Sequence, residues 1–205
     1  MSAHCSPLST LHSKKVNLKV DILKLISIFA NHIWSIKYSP KEKDVYTFLF
    51  NKWQDIVYVN DYFDMNWDLV SKSDIWKNYT KAELISIVRD EAEFMESYFI
   101  DLFYNVKKGN RPDFDKLFIS LGSEDSQLYK LFKCKAYGSS RKPAILRFYA
   151  IQVETNAYVI TGGGIKLTKT MNECKHLNKE LKHLNKVQKW LKDEGVDSKY
   201  DLKDL

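Results

Sequence analysis

Residues 144–170 read AILRFYAIQVETNAYVITGGGIKLTKT, and the way this stretch divides decides the fold. Residues 144–153 are an apolar run rich in β-branched and aromatic side chains, of strand length. The polar ETNA at 154–157 supplies turn chemistry, and YVIT at 158–161 resumes as a second strand. The spacing therefore predicts a hairpin over 144–161. Beyond the glycines, IKLTKT alternates apolar and polar residues strictly.

Three readings of Gly162–Gly164 follow from chemistry. A Walker phosphate loop needs G-x-x-x-x-G-K-[ST], and here lysine comes two residues after the last glycine with Leu167 behind it. A G-x-G-x-x-G loop also fails. What is left is a glycine-rich bulge that bends the strand, and such a bulge would also aim Lys166, Thr168 and Lys169 at a bound backbone.

Working outward, Asn172 is read as the cap of a closing helix with the stripe Leu177, Leu181, Leu184, Val187 and Leu191, stopped by Gly195. Upstream, Phe114, Leu117, Phe118 and Leu121 make a short helical stripe ending at Gly122. Leu128, Leu131 and Phe132 then lead into KCKAYGSSRKP. Helices followed by strands and a closing helix define an α+β unit with a small antiparallel sheet.

The first half reads as helical. Ile22, Leu25, Ile26, Phe29, Ile33 and Ile36 fit helical spacing from Val16 to about Ile36. Ser39 before Pro40 suggests the cap of a second helix through residue 58, with Val45, Phe48, Leu49 and Trp53 as its stripe. Thr80 and Glu83 form a capping box for a third, along which Leu84, Ile87, Val88, Phe94, Met95, Tyr98 and Leu102 run towards Val106. Between them, residues 55–76 interleave Asp55, Asp61, Asp64, Asp68 and Asp74 with aromatics. That pattern suits a helix with core aromatics and a solvated acidic face, or a surface that docks a basic partner. Gly109, Asn110 and Pro112 break the periodicity, so the division expected is a lead-in over 1–15, a helical domain over 16–110 and an α+β domain over 111–205.

The chain is 205 residues long with a formal net charge of +6, 44% hydrophobic and 14% aromatic residues. The aromatics exclude a disordered chain. Lysines and arginines balance acids through residue 110, so the whole excess lies in the second half. A basic half attached to a neutral one suggests contact with polyanions, against the alternative of a lysine-coated surface. Three cysteines, Cys5, Cys134 and Cys174, far apart and without CxxC, fit neither a disulfide framework nor a zinc site, and point to the cytoplasm. The most apolar segment, residues 22–34, is interrupted by Lys24, Asn31 and His32 and is too short to span a bilayer.

With Arg147 opening a central strand, the hairpin, GGGIKLTKT and a closing helix, residues 112–195 resemble the RelE/ParE toxin superfamily, in its HigB-like or phage-derived branch. The likeness departs from the family pattern at Ile165, where an aromatic is common, and at Leu167, between Lys166 and Thr168. FDKLFISL and LYKLFKCK are similar to the family's helical hairpin and connecting loop. The resemblance implies a toxin–antitoxin or phage-defence endoribonuclease. It would cleave mRNA, often on the ribosome, under the control of an antitoxin protein. That chemistry requires no metal or cofactor: a base for the 2′-hydroxyl proton, cations for charge on phosphorus and an acid for the leaving oxygen.

The catalytic candidates are Arg147 for phosphate charge and Lys166 and Lys169 for developing charge or proton transfer. Lys133, Lys135 and Arg141 would grip the RNA backbone, with Thr168 and His176 beside them and Tyr149 as a stacking platform. An arginine in an apolar strand needs a partner, either a ligand phosphate or a carboxylate such as Glu154. Two other readings remain open: a non-catalytic basic module that binds nucleic acid or an acidic protein, and a helical half that carries recognition while the α+β part is structural. Convergence separates them, because an enzyme needs Arg147, Lys166 and Lys169 around one concave patch.

Overall fold

In the computed structural model, residues 23–29, 31–111, 113–121, 131–139, 143–170, 173 and 175–205 are described. The predicted hairpin forms, as β5 (Leu146–Glu154) and β6 (Ala157–Ile165). Its turn places Asn156 at φ 58°, a left-handed conformation that asparagine tolerates. Asp115 fixes the turn, accepting from Asn156 N at 2.8 Å and from Tyr158 Oη at 2.6 Å.

β4 (Phe132–Tyr137) and a two-residue β3 (Ile119–Ser120) extend this hairpin as an antiparallel meander. Here the helical reading fails: Phe114–Lys116 makes one 3-10 turn, and Phe132 opens a strand. Gly122 and Leu128 lie outside the described residues.

The larger correction is at the other edge. Residues expected in the first helix form β1 (Lys24–Phe29) and β2 (Ile33–Lys37), an antiparallel pair. Asn31 adopts φ 62° in the turn between them, and His32 N donates to Phe29 O at 2.8 Å. Leu23 and Leu25 are buried while Lys24 and Ser27 are exposed. The same apolar residues fit both periods, and sheet pairing selects the strand. β2 then runs parallel to β6, pairing Ile33–Ser35 with Tyr158–Ile160. The six-stranded sheet is therefore mixed rather than antiparallel, in the order β1-β2-β6-β5-β4-β3. It draws strands from both sides of residues 107–113, and so does the hydrophobic core.

Four helices lie between β2 and β3: α1 (Val45–Gln54), α2 (Ile56–Met65), α3 (Trp67–Lys72) and α4 (Lys81–Lys107). Asp44, not Ser39, caps α1 by accepting from Thr47 N. Asp55 caps α2, which splits the predicted second helix. The Thr80–Glu83 capping box is complete, with both reciprocal bonds present. Asp55, Asp61, Asp64, Asp68 and Asp74 are exposed while Tyr62, Phe63 and Trp76 are buried, so core aromatics with a solvated acidic face describes residues 55–76.

α1, α2 and α4 cover one face of the sheet. Phe148 on β5 is the hub there, with ring centroids 5.3 Å from Phe50, 5.0 Å from Trp53 and 6.0 Å from Phe99. Each such pair contributes about 0.5–1.5 kcal/mol beyond its buried area. α5 (Lys175–Asp193) covers the opposite face with Leu177, Leu184, Val187 and Leu191 buried, and it ends at Gly195 with φ 73°. Its predicted cap, Asn172, lies outside the described residues. No helix of the described residues is long and apolar enough to cross a membrane.

The glycines sit inside β6 rather than in a turn, and none has positive φ. The bulge lies just ahead of them: Tyr149 pairs with Gly162 and Ala150 with Ile160, which leaves Thr161 extra. Each glycine admits a close neighbour. A Cβ on Gly163 would stand 2.7 Å from Arg147 O and 2.8 Å from Leu49 Cδ1 of α1. One on Gly162 would stand 1.9 Å from Glu180 Oε2, and one on Gly164 3.2 Å from Leu177 Cδ2, both on α5. The run lets helices approach the sheet from both sides.

Candidate functional site

Alternation along β4 buries Cys134 and Ala136 and turns Lys133, Lys135 and Tyr137 to the other face. Cross-strand pairing sets Lys135 opposite Tyr149 and Tyr137 opposite Arg147. Arg147 in turn opposes Gly164, whose missing side chain points at α5. Lys133, Lys135, Tyr137, Arg147 and Tyr149 therefore share the α5 face of the sheet.

Arg147 is 9% exposed. Its Nη1 donates to Ala144 O at 2.8 Å and Leu146 O at 2.7 Å, and the guanidinium lies 4.1 Å over the Tyr137 ring. Glu154, the expected carboxylate, instead pairs with Lys199 at 3.3 Å. Among the described residues no carboxylate is within ion-pair distance of Arg147, Lys135 or Lys166. Burial lowers the Arg147 pKa, while Tyr137, Tyr149 and Glu91 act in the opposite sense.

Lys166 continues β6 by one backbone bond, Lys166 N to Ile145 O at 2.7 Å. Its Nζ donates to Lys169 O at 2.7 Å. Its pKa is lowered, first by partial burial and then by the positive charges of Arg147 and Lys135. Two cations thus act on Lys166, and one of them, Arg147, lines a shallow cavity of about 440 Å³ together with Ile75, Tyr137, Pro143 and Ala144. Glu173 opposes the two cations at Lys166, as Glu91 opposes burial at Arg147, but neither carboxylate forms an ion pair there, so the arrangement leaves room for an anion from solution.

Glu91 of α4 holds the entry to β5. Its buried carboxylate accepts from Ile145 N at 2.9 and 3.0 Å and from Leu146 N at 2.7 Å. Burial raises its pKa against the pull of those two N–H groups and Arg147.

The remaining predicted residues scatter. Lys169 turns to Asp74, at 2.9 Å, on the exposed surface, and Thr168 Oγ1 donates to Thr170 O at 2.7 Å. Lys133 shares the basic face, and its carbonyl accepts from Leu121 N at 2.8 Å. Tyr149 is fully buried, so it offers no ring face to a base and is core. Arg141 lies outside the described residues. His176 is half-buried in a separate crevice, where its Nε2 approaches Ile165 O at 2.9 Å and Tyr62 Oη at 3.2 Å.

Sequence reasoning missed Tyr137 and Glu91. Tyr137 was within reach, because the alternation Lys133, Lys135, Tyr137 places all three on one face. Glu91 had no local signal, since its partners lie more than fifty positions along the chain. Cys134 is no rival nucleophile, because burial pushes its thiol up to about 11. No family model, curated protein or solved structure matches the chain.

Proposed function

We propose that the protein is a toxin-type ribonuclease that takes single-stranded RNA on the face formed by Lys135, Tyr137, Arg147 and Lys166. The observation that carries this reading is Arg147 over the Tyr137 ring at a concavity, with Lys166 near enough for the charges of Arg147 and Lys135 to act on it. A phosphodiester relieves the repulsion, and the Tyr137 edge and Ile75 offer apolar surface to a sugar or base.

In the reaction, the 2′-hydroxyl oxygen attacks phosphorus and gives up its proton while the bond to the 5′ oxygen breaks. That oxygen takes a proton, leaving a 2′,3′-cyclic phosphate and a 5′-hydroxyl. Lys166, with its lowered pKa, is the proton-transfer group. Arg147 and Lys135 stabilise charge on the phosphoryl oxygens. Lys169 has no part in it.

One observation favours a second reading, an anion-binding module without catalysis. Arg147 Nη1 is already committed to two carbonyl groups and its side chain is almost covered, which suits anchoring more than transition-state work. Induced expression in a bacterial host separates the two, comparing wild type with Lys135→Ala/Lys166→Ala. Growth arrest with new RNA ends that vanish in the double variant supports the nuclease. Arrest without new ends supports the binding module.

A further inference from the structure

β2 and β6 are parallel neighbours, and the helices that follow them pack on opposite faces: α1 against Gly163, α5 against Gly162 and Gly164. Strands whose connections leave to opposite sides open a crevice at their carboxyl ends, the place where open α/β sheets bind ligands. The crevice is present here, about 990 Å³ in volume, with the end of β2, α1 and α2 on one side and α5 on the other. That is the size of a small-molecule site.

Its floor is the edge of β6 beyond the last β2 pair. The edge is closed by side chains: Tyr38 Oη donates to Thr161 O at 2.7 Å, Gly163 N donates to Glu180 Oε2 at 3.2 Å, and Tyr62 Oη donates to Ile165 O at 3.1 Å. Polar edge groups are thus answered internally, and a ligand meets the side chains above them.

Those side chains form a graded set. Glu180 is central and 17% exposed, with His183 Nδ1 3.9 Å away. Tyr38 packs against His183 with centroids 4.7 Å apart and the rings tilted by 34°. From the opposite wall comes Lys52, its Nζ 4.3 Å from the Phe48 ring centroid and 4.5 Å from that of Tyr58. Burial and the neighbouring Lys179 lower the Lys52 pKa, and Glu180 opposes them. Lys43, Lys179 and Lys186 line the crevice as well.

We infer that this crevice is a binding site for a ribonucleoside phosphate, separate from the basic face. A carboxylate has room for about four hydrogen bonds, and Gly163 N takes one on Glu180. The others suit the vicinal hydroxyls of a ribose, as an acidic residue does in dinucleotide folds. The Tyr38–His183 pair gives aromatic surface to a base, while the Phe48 and Tyr58 rings hold Lys52 in place. Lysines from both walls, Lys52 and Lys179, answer the phosphate. A free carboxylate ligand would meet Glu180 without a hydroxyl to offer it, and a plain sugar would leave the lysines unanswered.

Isothermal titration of the full chain with adenosine 5′-monophosphate tests this, beside inorganic phosphate and the 2′-deoxy nucleotide. Saturable one-to-one binding is expected for the ribonucleotide, about tenfold weaker for the deoxy form, in keeping with a lost hydrogen bond to a charged group. Lys179→Ala, an exposed position, weakens it several-fold. Gly162→Ala abolishes it by driving a methyl into the place of the Glu180 carboxylate. Equal affinity for inorganic phosphate and nucleotide overturns the inference, as does binding that Lys179→Ala leaves unchanged. RNA cleavage plays no part in these readouts, so the inference stands or falls apart from the ribonuclease reading.

Discussion

The basic face and the crevice lie on either side of the last residues of β6, and they handle charge in opposite ways. On the face, the charges of Arg147 and Lys135 act on Lys166, and no carboxylate among the described residues is within ion-pair distance of the three. In the crevice, the charge of Lys179 acts on Lys52 and Glu180 opposes it. A cation group whose carboxylates, Glu91 and Glu173, act from beyond ion-pair distance leaves room for an anion. A cation group built around a carboxylate suits a ligand that carries hydroxyls as well as negative charge. Ile165 joins the two regions: its carbonyl is held by Tyr62 and His176 in the crevice, and the next residue is Lys166.

The comparison breaks first where the face is anchored. Glu91→Ala strips a buried carboxylate from two backbone N–H groups, and about 3–4 kcal/mol of stability is expected to go with it. Denaturant unfolding measures this, and a loss below about 1 kcal/mol would show that the start of β5 is held in some other way. Next comes Gly163→Ala, whose new methyl meets Arg147 O and Leu49. About 1–3 kcal/mol is expected from overpacking, against little change for Lys179→Ala in the same melts.

Catalysis sharpens the contrast within five residues of sequence. Lys166→Ala is expected to lower the cleavage rate by about 10²–10³, the scale of losing one preorganised charge. Lys169→Ala, whose ammonium pairs with Asp74 in solvent, leaves the rate as in wild type. Equal losses for both variants would return Lys169 to the site.

The smallest effect concerns pH. Burial, the leading cause, lowers the His176 pKa below its usual value of 6.5, against the hydrogen bond His176 makes to Ile165 O and the charge of Glu180. The unfolded chain therefore binds more protons, and stability rises with pH through this window. His176 contributes fully above about 6.5, and the contribution is lost as pH falls through the depressed folded value. Melting temperatures of wild type should drop more between pH 7.5 and 5.5 than those of His176→Gln. Parallel curves would remove His176 from the buried network.

Much of this architecture is legible in local sequence. The capping box at Thr80 and Glu83, the hairpin around Asn156 and the α5 stripe ending at Gly195 are each specified by neighbours a few residues apart. The N-terminal strands are not, because Leu25, Phe29, Ile33 and Ile36 satisfy a helical repeat as well as a strand pair. The parallel register of β2 on β6 decides between them, and it joins residues more than a hundred positions apart. The crevice inherits that difficulty, since it exists only where those strands diverge. The basic face was half visible: Arg147, Lys135 and Lys166 could be named, but only the fold shows Lys169 turning away and Tyr149 entering the core. The glycines give local sequence no means of telling a bent loop from a strand pressed by helices on both faces.

The most direct test of the ribonuclease reading is incubation of purified protein with a single-stranded RNA, wild type beside Lys166→Ala, with analysis of the product ends. Fragments ending in 2′,3′-cyclic phosphate and 5′-hydroxyl, formed by wild type and reduced at least about a hundredfold in the variant, are the predicted result. Intact RNA with wild type, or cleavage that Lys166→Ala leaves unchanged, would contradict it.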